Sequence, residues 1–187
     1  PDIIHIDECP EAFDSQNKIS YDLHKWIYSN ERPWKITETC HNAWFKQKDK
    51  MFTPDMFSFC TPTHLEVFEK SSAMKSVIQY PMMKSQKVDD EVLELDKDKI
   101  HVLNVGLWTS GKNQGEGLQI AKAVEKLKPG KYVFHFVGNQ AMNFQNYWEP
   151  LMRNLPKNVK IWGEQTNVNK FLEACDIFMF NSTWECN

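Results

Sequence analysis

Lys112 is the residue whose type and position most clearly suggest chemistry. It follows the turn from Gly106 to Gly111, which lies between an apolar strand-like run and a helical pattern. A lysine ammonium and the backbone N–H groups at the start of a helix both attract anions. The turn is not a Walker loop, because Asn113 stands where that loop requires Ser or Thr. On its own, it predicts only a site for a phosphate-like group.

Three further polar side chains also follow strand-like runs. Glu185 and Ser182 come after the apolar run 176–180, and His41 comes directly after the run 34–40. A carboxylate, a hydroxyl or an imidazole in such a position can exchange protons or hydrogen bonds with a ligand. These residues are therefore candidates for a site.

The cysteines and histidines do not predict a metal site. Cys60 and His64 are four positions apart and Cys40 adjoins His41, but no C-x-x-C pair completes a zinc site. Cys40 and His41 do not form a nucleophile pair either, because neighbours on a strand point to opposite faces. Asp7 is interpreted as part of a solvated strand end. Five cysteines, an odd number scattered through apolar segments, favour reduced thiols and an intracellular protein.

Short apolar runs alternate with helical patterns along the whole chain. Strands are predicted at 1–5, 34–40, 56–60, 76–80, 100–105, 131–137, 158–162 and 176–180. Helices are predicted at 16–30, from 61 onwards, and at 113–127, 146–155 and 167–175. This alternation is typical of parallel sheets with helices on both faces. The predicted fold class is α/β, with a parallel sheet in each half of the chain.

The ends of the second-half strands are expected to share one edge of a sheet. Three of the strands end at Gly106, Gly138 and Gly163, and the fourth leads to Ser182. Ligands bind at the carboxyl edge of such sheets. Glycine at 106 permits close backbone approach or a positive φ.

Apolar residues predict which surfaces are buried. In the helix 16–30, one stripe is formed by Ile19, Leu23, Trp26 and Ile27. Ser15 is the expected cap of this helix. Trp108, Trp162, Trp184 and the Phe-rich strands are expected in the core.

Composition excludes some classes of partner. A net charge of −3 gives no general attraction to nucleic acid, and no apolar run approaches the ~20 residues of a membrane span. The start at Pro1 lacks the basic region of a signal peptide. The chain begins on a strand and stops soon after another, which indicates an interior piece of a longer protein. A cytoplasmic location is expected, with peripheral membrane attachment as an alternative.

Four segments of the second half carry a resemblance to a known family: LNVGLWTSGKNQ, HFVG, VKIWGEQTNV and FLEACDIFMFNSTWE. Together they resemble the donor-binding domain of the retaining nucleotide-sugar glycosyltransferases with the B-type, two-Rossmann-domain fold (group 1, family 4-like). In the first half, PDIIHIDE, ITETCHN and FSFCTPTHLEVF resemble the end of that family's acceptor-side domain. The segment 83–99 is rich in Lys, Asp and Glu without a sustained apolar period, which predicts a linker between the two halves. The resemblance implies two Rossmann-like parallel-sheet domains that face each other across a cleft, both incomplete: the end of an acceptor-side domain at 1–82 and a truncated donor-binding domain at 100–187.

The resemblance also implies an activity: transfer of a sugar from a nucleotide diphosphate donor, with anomeric retention and no obligatory cofactor or metal. The implied acceptor is a sugar, a glycan or a lipid-linked sugar. Glu185 resembles the glutamate that faces the donor sugar, and His41 resembles a histidine that reaches this sugar across the cleft. The implied donor-binding residues are Gly106, Lys112, Gly138, Gly163, Glu164, Val168 and Ser182.

Two departures from the family bear on these roles. Leu107 stands where members often have an arginine, which leaves Lys112 as the diphosphate cation. The second glutamate of the family's pair would fall beyond Asn187. Two other functions stay open: a nucleotide-sugar epimerase or hydrolase of the same architecture, and a non-catalytic α/β nucleotide-binding module.

Overall fold

The structure, a computed structural model, describes residues 2–7, 18–41, 51–62, 74–77, 91–183 and 185; for 18–20 and 74–77 it describes the backbone alone. The chain divides into two compact units, Pro1–Met82 with Cys186–Asn187 and Met83–Glu185. Each unit contains one parallel four-stranded sheet. The predicted α/β class with two Rossmann-like sheets is confirmed.

The sheet of the first unit runs in the order β1-β2-β3-β4, with all neighbours parallel. Its elements are β1 (Ile3–Asp7), α1 (Lys18–Ile27), β2 (Lys35–Cys40), β3 (Met56–Phe59) and β4 (Met74–Val77). The two central strands β2 and β3 bury their side chains most fully: Ile36, Phe57 and Phe59 are almost inaccessible to water. Apolar residues on both faces of a strand are typical of parallel sheets.

Helix α1 buries a different face from the one that its apolar residues predict. Leu23 and Trp26 are 52% and 61% exposed, whereas His24 and Tyr28, one turn apart, are buried. The Tyr28 hydroxyl donates to the carboxylate of the fully buried Glu38 on β2 at 3.3 Å. A buried carboxylate requires a hydrogen-bond donor, and Tyr28, which directly follows the helix, supplies one from the buried face.

The sheet of the second unit runs in the order β7-β6-β5-β8, again parallel throughout. Its elements are β5 (Ile100–Val105), α2 (Gln114–Leu127), β6 (Tyr132–Val137), a 3-10 turn (Met142–Phe144), α3 (Gln145–Met152), β7 (Val159–Gly163), α4 (Asn169–Ala174) and β8 (Ile177–Phe178). The central strands are predicted to within one residue, because their β-branched and aromatic runs are continuous.

Both faces of this sheet are covered. On one face, Trp108, Ala121 and Phe136 lie in a core formed with α2, and Trp148 of α3 packs against it. On the other face, Phe171 of α4 packs with Leu103 and Val137. Trp108 is fully buried, as predicted, so its indole fills the turn.

The segment 91–99, which contains no helix or strand, is attached to the second unit. Leu93 packs against the core on the α4 face. The Lys170 ammonium lies 2.8 Å from the Glu91 carboxylate, and the lysine side chain is only 12% exposed. This part of the predicted linker is therefore tied to α4.

Several predicted elements differ in extent or lie outside the described residues. β4 begins two residues before the predicted strand 76–80, and β8 is shorter than the predicted strand 176–180. Phe178 and Phe180 are 50% and 60% exposed, so the expectation that this segment is core is wrong. Ser15, Trp184 and most of the helix predicted from 61 lie outside the described residues. Within the described part of the chain, no helix has the length and hydrophobicity that a bilayer crossing requires.

Candidate active site

The carboxyl edge of the second sheet is built from neighbouring strand ends, as the glycine pattern predicts. The Gly106 N–H donates to the Val137 carbonyl at 2.9 Å, and the Gly138 N–H donates to the Gly163 carbonyl at 2.7 Å. The three glycines thus lie side by side where β5, β6 and β7 end. Beside β5, the Met179 N–H donates to the Leu103 carbonyl and extends the edge towards Ser182.

Gly138 is required here for steric reasons. Its φ is +149°, and a Cβ added to it would lie 1.9 Å from the Gly106 carbonyl oxygen. Of the two roles that the sequence predicts for Gly106, a positive φ is not found, because its φ is negative or extended. A Cβ on Gly106 would meet the Lys112 side chain at 3.5 Å, an ordinary contact. The close backbone approach is therefore made at Gly138, against Gly106.

Lys112 and Glu185, 73 positions apart in the sequence, form an ion pair at this edge. The Lys112 Nζ lies 2.5 Å from Glu185 Oε1, and the two side chains are 35% and 26% exposed. Burial opposes ionisation of the Glu185 carboxyl, but the hydrogen bonds from Lys112 and Ser182 outweigh it and lower the pKa of Glu185. The carboxylate is therefore ionised at neutral pH, and the lysine that follows the turn is already neutralised by an acid.

The backbone after β8 is fastened to the Lys112 turn. The Thr183 N–H donates to the Gly111 carbonyl at 2.8 Å, and its hydroxyl donates to the same oxygen at 3.2 Å. Gly111 directly precedes Lys112, and Thr183 lies two residues before Glu185, so these two bonds hold the two segments side by side. The ion pair therefore rests on a fixed backbone framework.

Three asparagines, Asn104, Asn113 and Asn181, form an amide cluster beneath this framework. The Asn104 side chain donates to the Met179 carbonyl at 3.0 Å, and the Asn181 side chain donates to the Asn113 carbonyl at 2.9 Å. Asn113 has φ 56° and ψ 34°, a left-handed conformation that asparagine tolerates better than most residues. The cluster was not predicted from the sequence. In the sequence, the cluster is indicated only by Asn104, a polar residue inside a buried strand, because a buried amide requires hydrogen-bond partners.

The first turn of α2 is partly occupied by its own neighbours. The Gly115 N–H donates to the Tyr147 hydroxyl at 3.0 Å. Glu116 places an acid in this turn, and its carboxylate accepts a hydrogen bond from Asn113 at 2.6 Å. These contacts weaken the attraction of the helix end for an anion. Lys112 is therefore the stronger anion-binding group at this edge.

The remaining predicted donor residues lie around the same edge in different settings. Glu164 is exposed and accepts a hydrogen bond from the Asn139 amide at 2.9 Å. Gly163 has φ +68°, with open space around its missing side chain. The Val168 side chain packs against the core on the α4 face. The Val168 carbonyl accepts hydrogen bonds from the Phe171 and Leu172 N–H groups at 3.0 and 3.2 Å.

His41 lies in the first unit, at the end of β2. Its Nε2 is 2.8 Å from Asp7 Oδ1, and its Nδ1 is 3.3 Å from Cys60 Sγ. Asp7, interpreted from the sequence as a solvated strand end, therefore has a specific partner. Both ring nitrogens of His41 are engaged, so a contact with a sugar hydroxyl would have to replace one of them.

A cavity of about 690 Å³ lies elsewhere in the second unit, between the segment 91–99 and α4. Its lining includes three carboxylates, Glu94, Asp96 and Asp176. Two lysines, Lys97 and Lys99, also line it, and the Lys99 ammonium is paired with the Asp96 carboxylate at 3.2 Å, so the acids outnumber the bases by one and the cavity offers a diphosphate no net positive charge. In the described residues, no group of three or more His, Cys, Asp or Glu side chains has the arrangement of a metal site.

The two parallel α/β sheets are those of the B-type glycosyltransferase fold. Comparison with solved structures agrees. The crystal structure of TarM, a protein known from S. aureus, superposes with a TM-score of 0.66 at 16% identity, over 99% of this chain and 37% of that one. OtsA gives a TM-score of 0.69 at 12% identity, over 98% of this chain and 53% of OtsA. HepE of Anabaena, solved with UDP and glucose, superposes with a TM-score of 0.66 at 14% identity, over 98% of this chain and 53% of HepE.

A sequence relative supports the same assignment. An uncharacterised glycosyltransferase of Methanocaldococcus jannaschii is 32% identical over an alignment of 112 residues that covers 57% of this chain and 27% of that protein. No protein-family model matches the sequence. The resemblance is confirmed at the level of the B-type glycosyltransferase fold. The chain spans about a quarter of the length of this relative and between a third and about half of the three structures named above.

Proposed function

We propose that the protein is, or is part of, a glycosyltransferase that moves a sugar from a nucleotide diphosphate donor, with retention, to a sugar, glycan or lipid-linked acceptor. The observation that carries the proposal is the Lys112–Glu185 ion pair at the carboxyl edge of the second sheet. It combines a cation for the diphosphate with an ionised carboxylate for the sugar. The solved complexes of HepE with UDP-glucose and with UDP and glucose support the choice of donor.

The chemistry requires both charges. As the glycosidic bond breaks, negative charge grows on the leaving diphosphate, and a preorganised ammonium stabilises it. Lys112 is the group proposed for this role. When the diphosphate binds, it must replace the Glu185 carboxylate as the partner of Lys112 Nζ, and Glu185 then becomes available for the hydroxyls of the sugar. His41 is proposed as a second contact of the sugar, on the basis of the family resemblance.

The other donor contacts are proposed from the geometry of the same edge. The backbone N–H groups after Gly106 would share the diphosphate with Lys112. Backbone groups of Gly163, Glu164 and Val168 would contact the base, and those of Gly138 and Ser182 would complete the pocket. Leu107 offers no charge to the diphosphate, which makes the contribution of Lys112 larger.

Removal of the Lys112 charge is expected to weaken nucleotide binding strongly. A charge-assisted contact contributes roughly 1.5–3 kcal/mol, so Lys112→Ala should lose about ten- to a hundredfold in affinity. The loss should approach the upper limit, because Glu185 is left ionised without its partner. Calorimetric titration of UDP, GDP and ADP into the wild type and the variant measures it and identifies the base.

Lys122→Ala is the matched control, since this lysine lies exposed on α2 in the same unit. Its affinity should equal that of the wild type. Equal weakening by both variants would reduce the effect of Lys112 to a change in net charge. Equal binding by wild type and Lys112→Ala would remove Lys112 from the site.

Neutralisation of Glu185 should change affinity in the opposite direction. Glu185→Gln releases the Lys112 ammonium and removes a negative charge near the diphosphate. A partly exposed ion pair contributes about 0.2–1 kcal/mol, so the free nucleoside diphosphate should bind up to about fivefold more tightly. The nucleotide sugar should gain less, because the variant loses the carboxylate proposed to hold the sugar. Weaker binding of the free diphosphate would contradict competition between the two anions for Lys112.

Product analysis separates transfer from the alternative chemistries. A transferase releases nucleoside diphosphate in proportion to acceptor glycosylation. An epimerase or hydrolase would convert the nucleotide sugar without an acceptor. Binding of the nucleotide with no conversion under either condition would favour a non-catalytic binding module.

A further inference from the structure

A second group of reactive side chains lies in the first unit, at the carboxyl edge of its sheet. Asp7 ends β1, His41 follows β2 directly, and Cys60 follows β3. These three strands are parallel neighbours, so their ends meet at one edge. The three side chains form a hydrogen-bonded chain, which we call the thiol triad: 2.8 Å from Asp7 Oδ1 to His41 Nε2, and 3.3 Å from His41 Nδ1 to Cys60 Sγ.

Asp7 determines which nitrogen of His41 faces the thiol as a base. A carboxylate accepts hydrogen bonds, so the proton of the neutral imidazole lies on Nε2. Nδ1 then carries a lone pair directed at Cys60 Sγ. The sulfur also lies 3.6 Å from the Cys40 carbonyl oxygen, a longer contact in which the thiol is again the donor. The shorter contact is the one to the imidazole.

The order thiol, imidazole, carboxylate is the arrangement that activates nucleophiles in unrelated proteins. The base takes the proton of the nucleophile, and the third group orients the base and stabilises its cation. Cys60 is 5% exposed as a residue, while the His41 side chain is 31% exposed, so the triad is approached from the imidazole side. A small reagent is the appropriate partner.

We propose that Cys60 is a nucleophilic thiol and a modification site for small disulfides and thiosulfonates, with His41 as its base and Asp7 as a positioning residue. The Cys60 proton moves to His41 Nδ1, and the thiolate attacks one sulfur of the reagent. A sulfur–sulfur bond forms to Cys60 as the bond to the leaving group breaks. For a disulfide, the leaving thiolate takes the proton from the imidazolium, so no further oxidant is needed.

The chain contains its own reference thiol. Burial, together with the neighbouring Asp176 carboxylate, raises the pKa of the Cys175 thiol to about 11, so Cys175 is a poor nucleophile at neutral pH. Cys60 instead lies beside a base. The other ionisable side chain nearby on β1, His5, has its ring nitrogens at hydrogen-bond distance from the Thr37 and Thr39 hydroxyls.

The test measures the rate at which methyl methanethiosulfonate modifies each cysteine of the whole chain, by mass spectrometry with peptide mapping. At pH 6, Cys60 should acquire a methylthio group at least tenfold faster than Cys175. His41→Gln should lower the Cys60 rate at pH 6 by at least tenfold. In that variant the rate should rise about tenfold per pH unit, as for an ordinary thiol, whereas the wild-type rate should vary less with pH.

Asp7→Asn keeps the proposal testable if His41→Gln fails to fold, because the Asp7 side chain is 70% exposed. It should slow Cys60 several-fold at pH 6 and leave the Cys175 rate unchanged. Modification of Cys60 no faster than Cys175, only after addition of urea, or at the same rate in all three proteins would overturn the proposal. The readout is independent of nucleotide binding, so this proposal and the proposed function can fail separately.

Discussion

Gly138→Ala is expected to prevent the second unit from folding stably. The new Cβ would lie 1.9 Å from the Gly106 carbonyl oxygen and 2.6 Å from its carbon, both backbone atoms of a central strand end. Neither can move without breaking the bond between the Gly106 N–H and the Val137 carbonyl. A backbone clash in a packed sheet, added to a φ of +149°, should cost more than about 4 kcal/mol. That is comparable with the whole stability of a typical domain, about 5–15 kcal/mol.

Gly130→Ala separates steric collision from backbone conformation. Gly130 also has a positive φ, +71°, but a Cβ there would meet nothing within 4 Å. Its cost should be about 1–2 kcal/mol, the penalty of a left-handed residue. Hydrogen exchange of the β5–β7 amides, followed by peptide mass spectrometry, reports on this unit alone. Equal protection of the two variants would show that the approach of Gly106 and Gly138 does not control stability.

The alternation of strands and helices could be predicted from the sequence because local residue types determine it. The run from Ile100 to Val105 and the run from Tyr132 to Val137 are β-branched and aromatic, and each ends at a glycine. Their pairing in a parallel sheet then follows from the helix between them, since a βαβ connection allows little else. The edge formed by the three glycines is thus predictable from local patterns.

Interactions between distant residues could not be predicted in the same way. The sequence contains Lys112 and Glu185 as separate candidates, and nothing local indicates that they share one ion pair. The same holds for the thiol triad. Proximity in sequence pairs Cys60 with His64 and Cys40 with His41, whereas the partners in space follow three different strands.

Burial of short segments was the least predictable feature. In α1, the apolar stripe at Leu23 and Trp26 was expected to face the core, but the hydroxyl of Tyr28 is directed inward to Glu38. Glu38 lies in a strand whose apolar and polar residues otherwise alternate, and nothing in that pattern indicates that this carboxylate is completely buried. Phe178 of β8 and Phe180, two residues further on, resemble core residues, yet they stack on each other at an exposed edge.

The core of the second unit contains a polar chain with a defined proton order. The Trp162 indole N–H donates to His135 Nδ1 at 3.0 Å, and His135 Nε2 lies 2.9 Å from His101 Nδ1. His101 Nε2 lies 2.9 Å from the Asp96 carbonyl oxygen. An indole can only donate and a carbonyl can only accept, so every proton in this chain is assigned when both imidazoles are neutral. The network joins β5, β6, β7 and the segment 91–99.

Acid is therefore expected to destabilise the second unit well above the pH at which carboxylates titrate. Burial, then the proximity of His101 and of Lys160, lowers the pKa of His135 from 6.5 to about 4. The unfolded chain binds a proton near pH 6.5 and the folded chain does not, so unfolding gains a proton as the pH falls from 6.5 to 4. The contribution is fully present above pH 6.5 and is lost by about pH 4. A shift of this size corresponds to roughly 3 kcal/mol.

The variant His135→Phe tests whether His135 causes the loss of stability in acid. The informative quantity is the slope of the free energy of unfolding against pH, not its absolute value. The variant should be less stable at pH 7, because the Trp162 and His101 nitrogens lose their partner, but its exchange protection, corrected for intrinsic rates, should change little between pH 6.5 and 4. Asp55, whose pKa is about 2, contributes only at lower pH and does not confuse the comparison. Parallel curves for variant and wild type would assign the acid sensitivity to other groups. A flat wild-type curve would mean that the histidine chain is charged in the folded state.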